Sequence, residues 1–358
     1  MSSIKRRQSL AVMVGGIMIG GGAQISIQSM TNTKTDDTAS TLAQINRLAA
    51  AGCELIRVAV PDARAARSIS RLVQESSIPI IADIHFDLRL AYLALQHGAS
   101  EVRINPGNIG GKEKLRDLAR AAADQGAALR VGVNAGSLET SRLKKHGAAK
   151  AEALVDSALE YLQVLEKAQF QNIIVSLKAS DVLTTIEANR LFAGLAPYPI
   201  HLGVTEAGTV LSGTVKSAVG IGTLLAEGIG DTLRVSLTAD PVEEVKIGRW
   251  ILQALNLREF GPELISCPTC GRCEIDLVRL ADQVTEILEG YKGNYKVAVM
   301  GCAVNGPGEA KEAAVGVSVG RQHGIIFKHG KVVKTVKHDQ ILEALCSELD
   351  ELERSGGI

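Results

Sequence analysis

From Gln24 to Leu237 the chain alternates short β-branched runs with Ala- and Leu-rich amphipathic stretches, and this alternation constrains the fold more than any other feature. The strands it predicts are Ile25 to Ser29, Leu55 to Val60, Ile78 to Ile84, Glu101 to Ile104, Leu129 to Val133, Asn172 to Ser176, Ile200 to Val204 and Leu233 to Leu237. Between them, segments such as Thr41 to Ala49 repeat apolar residues at three and four and stop near Gly52, as a core-facing helix does. Eight such units in roughly 230 residues predict an α/β chain closed into a (β/α)8 TIM-type barrel, with its active site at the C-terminal ends of the strands. An open doubly wound sheet is the competing arrangement. Composition agrees with either, since 46% hydrophobic residues with only 3% aromatics and 36 glycines suit many short aliphatic strands joined by tight loops.

Lys5-Arg6-Arg7 and the apolar, Gly-rich run that follows, ending at Gly20-Gly21-Gly22-Ala23, mimic a secretory leader. Val12-Met13-Val14-Gly15-Gly16-Ile17-Met18-Ile19 reads instead as two short strands about Gly-Gly, a hairpin. No stretch is long enough to span a bilayer. The 39 acidic and 39 basic residues balance, so no global field draws the chain to nucleic acid or to an anionic membrane. The expectation is a cytoplasmic protein with neither partner, in which any anion site is local.

After the eighth strand the pattern changes. Asp240-Pro241 supplies an N-cap and a first-turn proline for a helix to about Leu257. Beyond Gly261-Pro262 come clustered cysteines, an amphipathic helix near Ile275 to Leu288, strands near Lys296 to Met300 and Ala314 to Val319, and a hairpin from Ile325 to Val336. Residues 1–258 are therefore expected to form the barrel with its N-terminal hairpin, and 259–358 a small α+β domain.

Four predicted strands place an arginine inside an aliphatic run: Ile56-Arg57-Val58, Val102-Arg103-Ile104, Leu129-Arg130-Val131 and Leu233-Arg234-Val235. Strand side chains alternate faces, so Arg103 shares a face with Asn105, Arg130 with Asn134, Arg234 with Ser236, Ser176 with Lys178, and Asp83 with His85. A single strand arginine is usually paired with a neighbouring carboxylate. As a set, like charges ~6 Å apart repel by about 3 kcal/mol at an effective dielectric near 20, so four arginines and Lys178 on one rim call for several anions. Asp83 and Glu206 provide two, which leaves room for a phosphorylated ligand. His85 gains functional weight from Asp83 two residues before it, whereas His97 reads as a structural helix residue.

Six cysteines stand at 53, 267, 270, 273, 302 and 346. Cys53 and Cys346 have no sequence partners and read as small core residues. Cys267-Pro268-Thr269-Cys270 is a C-x-x-C turn, compatible with a redox dithiol, a zinc knuckle or a cluster ligand pair. A four-thiolate zinc site draws on two such pairs. Here the distant partner is the single Cys302, and that asymmetry favours iron-sulfur chemistry. Cys273 extends a ferredoxin-like spacing that fails at Leu277 and is expected to begin the next helix. Three thiolates leave one iron for a weaker ligand, and Glu309 is the nearest candidate, a harder and more exchangeable donor.

Gln28-Ser29-Met30-Thr31-Asn32-Thr33, Ala82-Asp83-Ile84-His85-Phe86, Arg103-Ile104-Asn105-Pro106-Gly107-Asn108, Gly203-Val204-Thr205-Glu206-Ala207-Gly208, Cys267-Pro268-Thr269-Cys270-Gly271-Arg272 and Val304-Asn305-Gly306-Pro307-Gly308-Glu309 together resemble the bacterial 4-hydroxy-3-methylbut-2-enyl diphosphate synthases, in order and over nearly the whole chain. The resemblance implies a 4Fe-4S oxidoreductase of the methylerythritol phosphate route to isoprenoids. Such an enzyme opens 2-C-methyl-D-erythritol 2,4-cyclodiphosphate reductively, with loss of water and with flavodoxin or ferredoxin as donor. It implies Cys267, Cys270, Cys302 and Glu309 as metal ligands, with Arg57, Arg103, Arg130, Lys178, Arg234 and Ser236 on the diphosphate. Asp83, His85, Asn134, Thr205 and Glu206 would surround the carbon skeleton, with Glu206 and then His85 as proton donors. The plant-type insertion is absent. A phosphate-binding protein with structural zinc or a redox-sensing dithiol is the alternative.

Chain direction adds one expectation. A helix following the eighth strand carries the chain away from the catalytic rim, on the order of 25 Å at ~1.5 Å per residue. A short linker near Gly261 then favours a head-to-tail homodimer in which the second domain of one subunit caps the barrel of the other.

Overall fold

The computed structural model describes residues 4–105, 111–138, 151–273, 275–302, 308 and 310–355. They form two compact units, one through Arg258 and the other from Glu259.

The first unit opens with the hairpin β1 (Val12–Val14) and β2 (Ile17–Ile19), paired antiparallel. Gly15 and Gly16 take positive φ of 52° and 89°, the left-handed turn that a two-residue hairpin loop requires. The leader-like apolar run is thus built into the fold. Val12, Val14 and Ile19 pack against Leu55, Ile81, Ala128 and Ile174 and form an apolar floor.

The barrel strands are β3 (Ser26–Met30), β4 (Leu55–Ala59), β5 (Ile80–Ile84), β6 (Glu101–Ile104), β7 (Ala128–Asn134), β8 (Ile173–Lys178), β9 (His201–Leu202) and β10 (Thr232–Leu233). All pair in parallel in the order β8-β7-β6-β5-β4-β3-β10-β9, and a bridge from Val175 to Ile200 joins the two ends. The barrel is therefore closed, and the open sheet is excluded. β9 and β10 are shorter than the sequence pattern suggested. Beyond them single bonds persist, from Arg234 N–H to the Leu202 carbonyl and from Thr205 N–H to that of Ala179, and the ladder stops where the Lys178 amine lies over Gly203.

Helices alternate with the strands, and their starts are chemically marked. Asp37, Asp62, Asp87, Asp181 and Asp240 each accept a backbone N–H of the following first turn. One face of each strand, such as Ile56 and Val58 or Val102 and Ile104, is fully buried. The alternate face points into the barrel, and there the polar residues gather.

The second unit is a five-stranded sheet in the order β11-β12-β13-β14-β15: Glu263–Ser266, Lys296–Met300, Val315–Val319, His323–Lys328 and Lys331–Lys337. The first three strands are parallel and the last two pairings antiparallel. Helices Leu277–Leu288 and Ile341–Arg354 pack with Val297, Val299, Val315, Val317 and Val319. The strand Glu263–Ser266 and the last helix have no counterpart in the sequence reading. The strand is only half-buried, and so lacks an alternating signature.

Candidate active site

Asp83 is the hub of the barrel's upper interior. Its carboxylate accepts from Arg103 Nη1 at 3.2 Å, lies 3.8 Å from Arg57 Nε and is 3.2 Å from His85 Nε2. Burial pushes the Asp83 carboxyl up, but Arg57, the His85 hydrogen bond and Arg103 together hold it well below the usual carboxylate range. Arg57 also reaches Met30 Sδ at 3.1 Å. Strand pairing aligns Asp83 with Arg103 and Arg103 with Arg130, which places three ionic side chains side by side.

Arg130 lies deeper and has no solvent exposure. Its Nη1 donates to Gln28 Oε1 at 2.5 Å and its Nη2 to Glu101 Oε2 at 2.9 Å. Arg234 pairs with Glu244 at 3.3 Å, and Glu244 also accepts from Ser29 Oγ and Leu237 N–H. Glu101, Glu244 and Gln28 escaped the sequence reading. Glu101 is the first residue of its strand and Glu244 belongs to a helix, so neither stands in the arginine-bearing pattern. Four arginines, Arg57, Arg103, Arg130 and Arg234, and the Lys178 amine thus face three pairing carboxylates, Asp83, Glu101 and Glu244, an excess of one positive charge with the amine neutral and of two with it protonated.

Lys178 is the exception in this cluster. It is 7% exposed and makes no hydrogen bond or ion pair with any of the described residues. Burial, then Arg57, Arg234, Arg130 and Arg103, drive its amine well below the ordinary lysine range. Two glycines make room for these cations. A Cβ at Gly203 would stand 2.6 Å from Lys178 Nζ, and one at Gly132 2.5 Å from Arg103 Nε.

The remaining barrel residues sit at the rim. Asn134 and Thr205 are half-buried, as is Ser236, while Asn105 donates to Ser137 Oγ at 2.7 Å. Glu206 is exposed with a left-handed φ of 53°. That conformation is costly for a side-chain-bearing residue, and such strain concentrates at functional loops. Glu206 therefore does not offset the buried cations. His85 is exposed and stands beside Phe86, itself 76% exposed.

In the second unit Cys267 follows β11 directly and Cys302 lies just beyond β12, the neighbouring parallel strand. Cys267 N–H reaches the Val299 carbonyl, and Cys267 Sγ accepts from Gly301 N–H at 3.2 Å. Cys270 is exposed, and all of these thiols are free. Cys273 does not begin the helix, which starts at Leu277 after Asp276. It closes a turn onto the Cys270 carbonyl, and its thiol reaches the Ile275 carbonyl at 3.3 Å on the apolar cluster. Glu309 lies outside the described residues. Among the described residues no three His, Cys, Asp or Glu side chains close around one point. The soft donors gathered at two adjacent strand ends, with a backbone N–H on one sulfur, fit an iron-sulfur group.

A closed barrel with uncompensated cations at the C-terminal ends of its strands, followed by a thiol-bearing α+β unit, defines an anion-binding barrel protein with a redox-capable appendage. Among solved structures, 3-dehydroquinate dehydratase from Clostridium difficile aligns with a TM-score of 0.52 at 14% identity, covering 69% of this chain and 98% of that one. The Thermotoga maritima 3-deoxy-D-arabino-heptulosonate 7-phosphate synthase gives 0.51 at 10%, over 70% and 91%. These likenesses show the barrel fold alone. Residues 9–249 match the GcpE TIM-barrel domain and residues 263–351 the GcpE protein C-terminal domain. The chain belongs to the GcpE family. Its relatives include proteins from Anoxybacillus flavithermus, 52% identical over 98% of this chain and 96% of the relative, and Bacillus subtilis, 51% over 97% and 92%. Both are named 4-hydroxy-3-methylbut-2-en-1-yl diphosphate synthase (flavodoxin).

Proposed function

We propose that the chain reduces 2-C-methyl-D-erythritol 2,4-cyclodiphosphate to 4-hydroxy-3-methylbut-2-enyl diphosphate with electrons from flavodoxin. The observation that carries this reading is the buried cation excess around Lys178, which has no partner among the described residues, a ready site for a diphosphate. Two electrons and two protons balance the reaction: the ring C–O bond to the diphosphate breaks, and one hydroxyl leaves as water.

Cys267, Cys270, Cys302 and Glu309 would hold a 4Fe-4S cluster, which supplies the electrons one at a time. Arg57, Arg103, Lys178 and Arg234, with Ser236 at the rim, bind the diphosphate and stabilise its charge as it departs from carbon. Arg130, engaged with Glu101 and Gln28, adds its field from below. Asp83 fixes Arg57, Arg103 and His85. Asn134 and Thr205 line the carbon skeleton, and Glu206 protonates the leaving hydroxyl, with His85 as second candidate. The decisive experiment is an anaerobic assay with reduced flavodoxin and the cyclic diphosphate. Absence of product from cluster-loaded protein would overturn the reading.

The shared-site homodimer belongs to the same proposal. Arg258 donates to the Ile25 carbonyl and to Glu54, beside the N-terminal ends of β3 and β4, so the chain leaves the first unit at the end opposite the rim. Exposed Leu211, Val215 and Val219 form a stripe on the helix Val210–Ala226 that a barrel-to-barrel contact would cover. Co-expressed Arg57→Ala and Cys302→Ser chains should recover activity in mixed dimers, and inactive mixed dimers of folded parents would refute sharing. Among the described residues no helix is long and apolar enough to cross a membrane.

A further inference from the structure

Between the apolar floor and the cation cluster, the barrel holds a layer of polar side chains that the proposed reaction does not use. Thr232 pairs in register with Ser26 on one side and His201 on the other. The three are 0%, 2% and 1% exposed. Among the described residues, Ser26 Oγ, Thr232 Oγ1 and both ring nitrogens of His201 have no hydrogen-bond partner, and neither have Gln28 Nε2 and Arg130 Nε. So many unpaired polar atoms in one buried layer would cost more than a domain's marginal stability permits, and buried polar groups without a protein partner are met by ordered water.

His201 lies two residues before Gly203 on the same face of its strand, and Lys178 Nζ sits over Gly203. Two residues of strand span ~6.6 Å at the backbone, so water in this layer can lie between the ring and the amine. Burial, then Arg130, Lys178, Arg57 and Arg234, hold the His201 imidazole well below its ordinary range. The ring is therefore neutral, with one nitrogen as acceptor and one N–H as donor.

We propose that ordered water fills this layer, held by Ser26, His201 and Thr232, and that His201 acts through it as a positioning residue for the Lys178 amine. The positioning half rests on the anion-site reading above; the water half stands on the layer itself. His201 gives the amine a water-borne acceptor before the anion arrives and so keeps it aimed along the barrel axis.

A high-resolution crystal structure of the full chain should show water within hydrogen-bond distance of Thr232 Oγ1 and a His201 ring nitrogen, and a dry layer would overturn the proposal. Thr232→Val, nearly isosteric, should remove that water while the fold stays intact. Calorimetric titration with inorganic pyrophosphate tests the second half. His201→Phe should weaken binding about tenfold, the worth of one hydrogen bond to a charged group. His201→Gln, which keeps a donor and an acceptor, should restore most of the affinity, with iron content unchanged in both. Equal affinity in His201→Phe and wild type would overturn positioning, as would equal losses in the Phe and Gln variants. If wild type itself fails to bind pyrophosphate, the anion-site reading falls and positioning with it, whereas the water is judged by the crystal structure alone.

Discussion

Replacing Lys178 by methionine should make the protein more stable and its anion site worse. The amine is buried, lacks a partner among the described residues and faces four arginines, of which three are offset by Asp83, Glu101 and Glu244. Lysine thus feels about one uncompensated positive charge. At roughly 7 Å and an effective dielectric near 20, that repulsion is about 2–3 kcal/mol. Methionine keeps the stem's volume without the charge, so most of this is recovered. For a barrel of this size the gain is roughly 5–10 °C in Tm. Differential scanning calorimetry with and without inorganic pyrophosphate reads both effects: the ligand should raise the wild-type Tm and leave Lys178→Met nearly unmoved. The sign of the pH dependence follows from the depressed amine. Unfolded lysine holds its proton to about pH 10.4, whereas the folded residue releases it earlier, so stability from this group rises with pH between the two values. The advantage of Lys178→Met should therefore be largest below the folded value and vanish toward the unfolded one. A variant no more stable than wild type, or one that binds pyrophosphate normally, would refute the reasoning.

Because pyrophosphate favours the charged amine, wild type should take up a proton on binding and lose affinity as pH rises, visible as a buffer-dependent binding enthalpy that Lys178→Met lacks. Cys267→Ser, Cys270→Ser and Cys302→Ser should each lose iron and sulfide while Cys273→Ser keeps them, since Cys273 stands outside the proposed ligand set and its thiol is engaged by the Ile275 carbonyl; iron loss in the last alone would mean that the ligand set is misassigned. Arg57→Ala should raise the pyrophosphate Kd about tenfold or more with iron content intact, the scale of a lost charged hydrogen bond, and unchanged binding would make Arg57 a purely structural partner of Asp83. Gly132→Ala drives a Cβ against the Arg103 guanidinium and should weaken the anion without unfolding the barrel, whereas normal affinity would show that Arg103 can relocate freely.

Local pattern was enough to announce the barrel, because strand alternation and helix starts are short-range properties. Arginine flanked by aliphatics in four strands, and Asp83 two residues before His85, already put a charged face inside. The Gly15-Gly16 turn, which only φ-permissive residues make well, marked the hairpin. What that hairpin does, sealing the barrel floor with Val12, Val14 and Ile19, depends on closure and has no local signal. The same holds for charge balance. Glu101 is 29 residues from Arg130, and Glu244 joins Arg234 from a helix, so sequence alone shows five cations without showing which carboxylates neutralise them. Gly132 and Gly203 look like ordinary strand glycines until their absent side chains are seen to be the space that Arg103 and Lys178 occupy. Residue types and their alternation determine that cations face inward. Only the closed barrel, which sets distances across its interior and excludes water from most of it, decides that Lys178 is left without a carboxylate among the described residues.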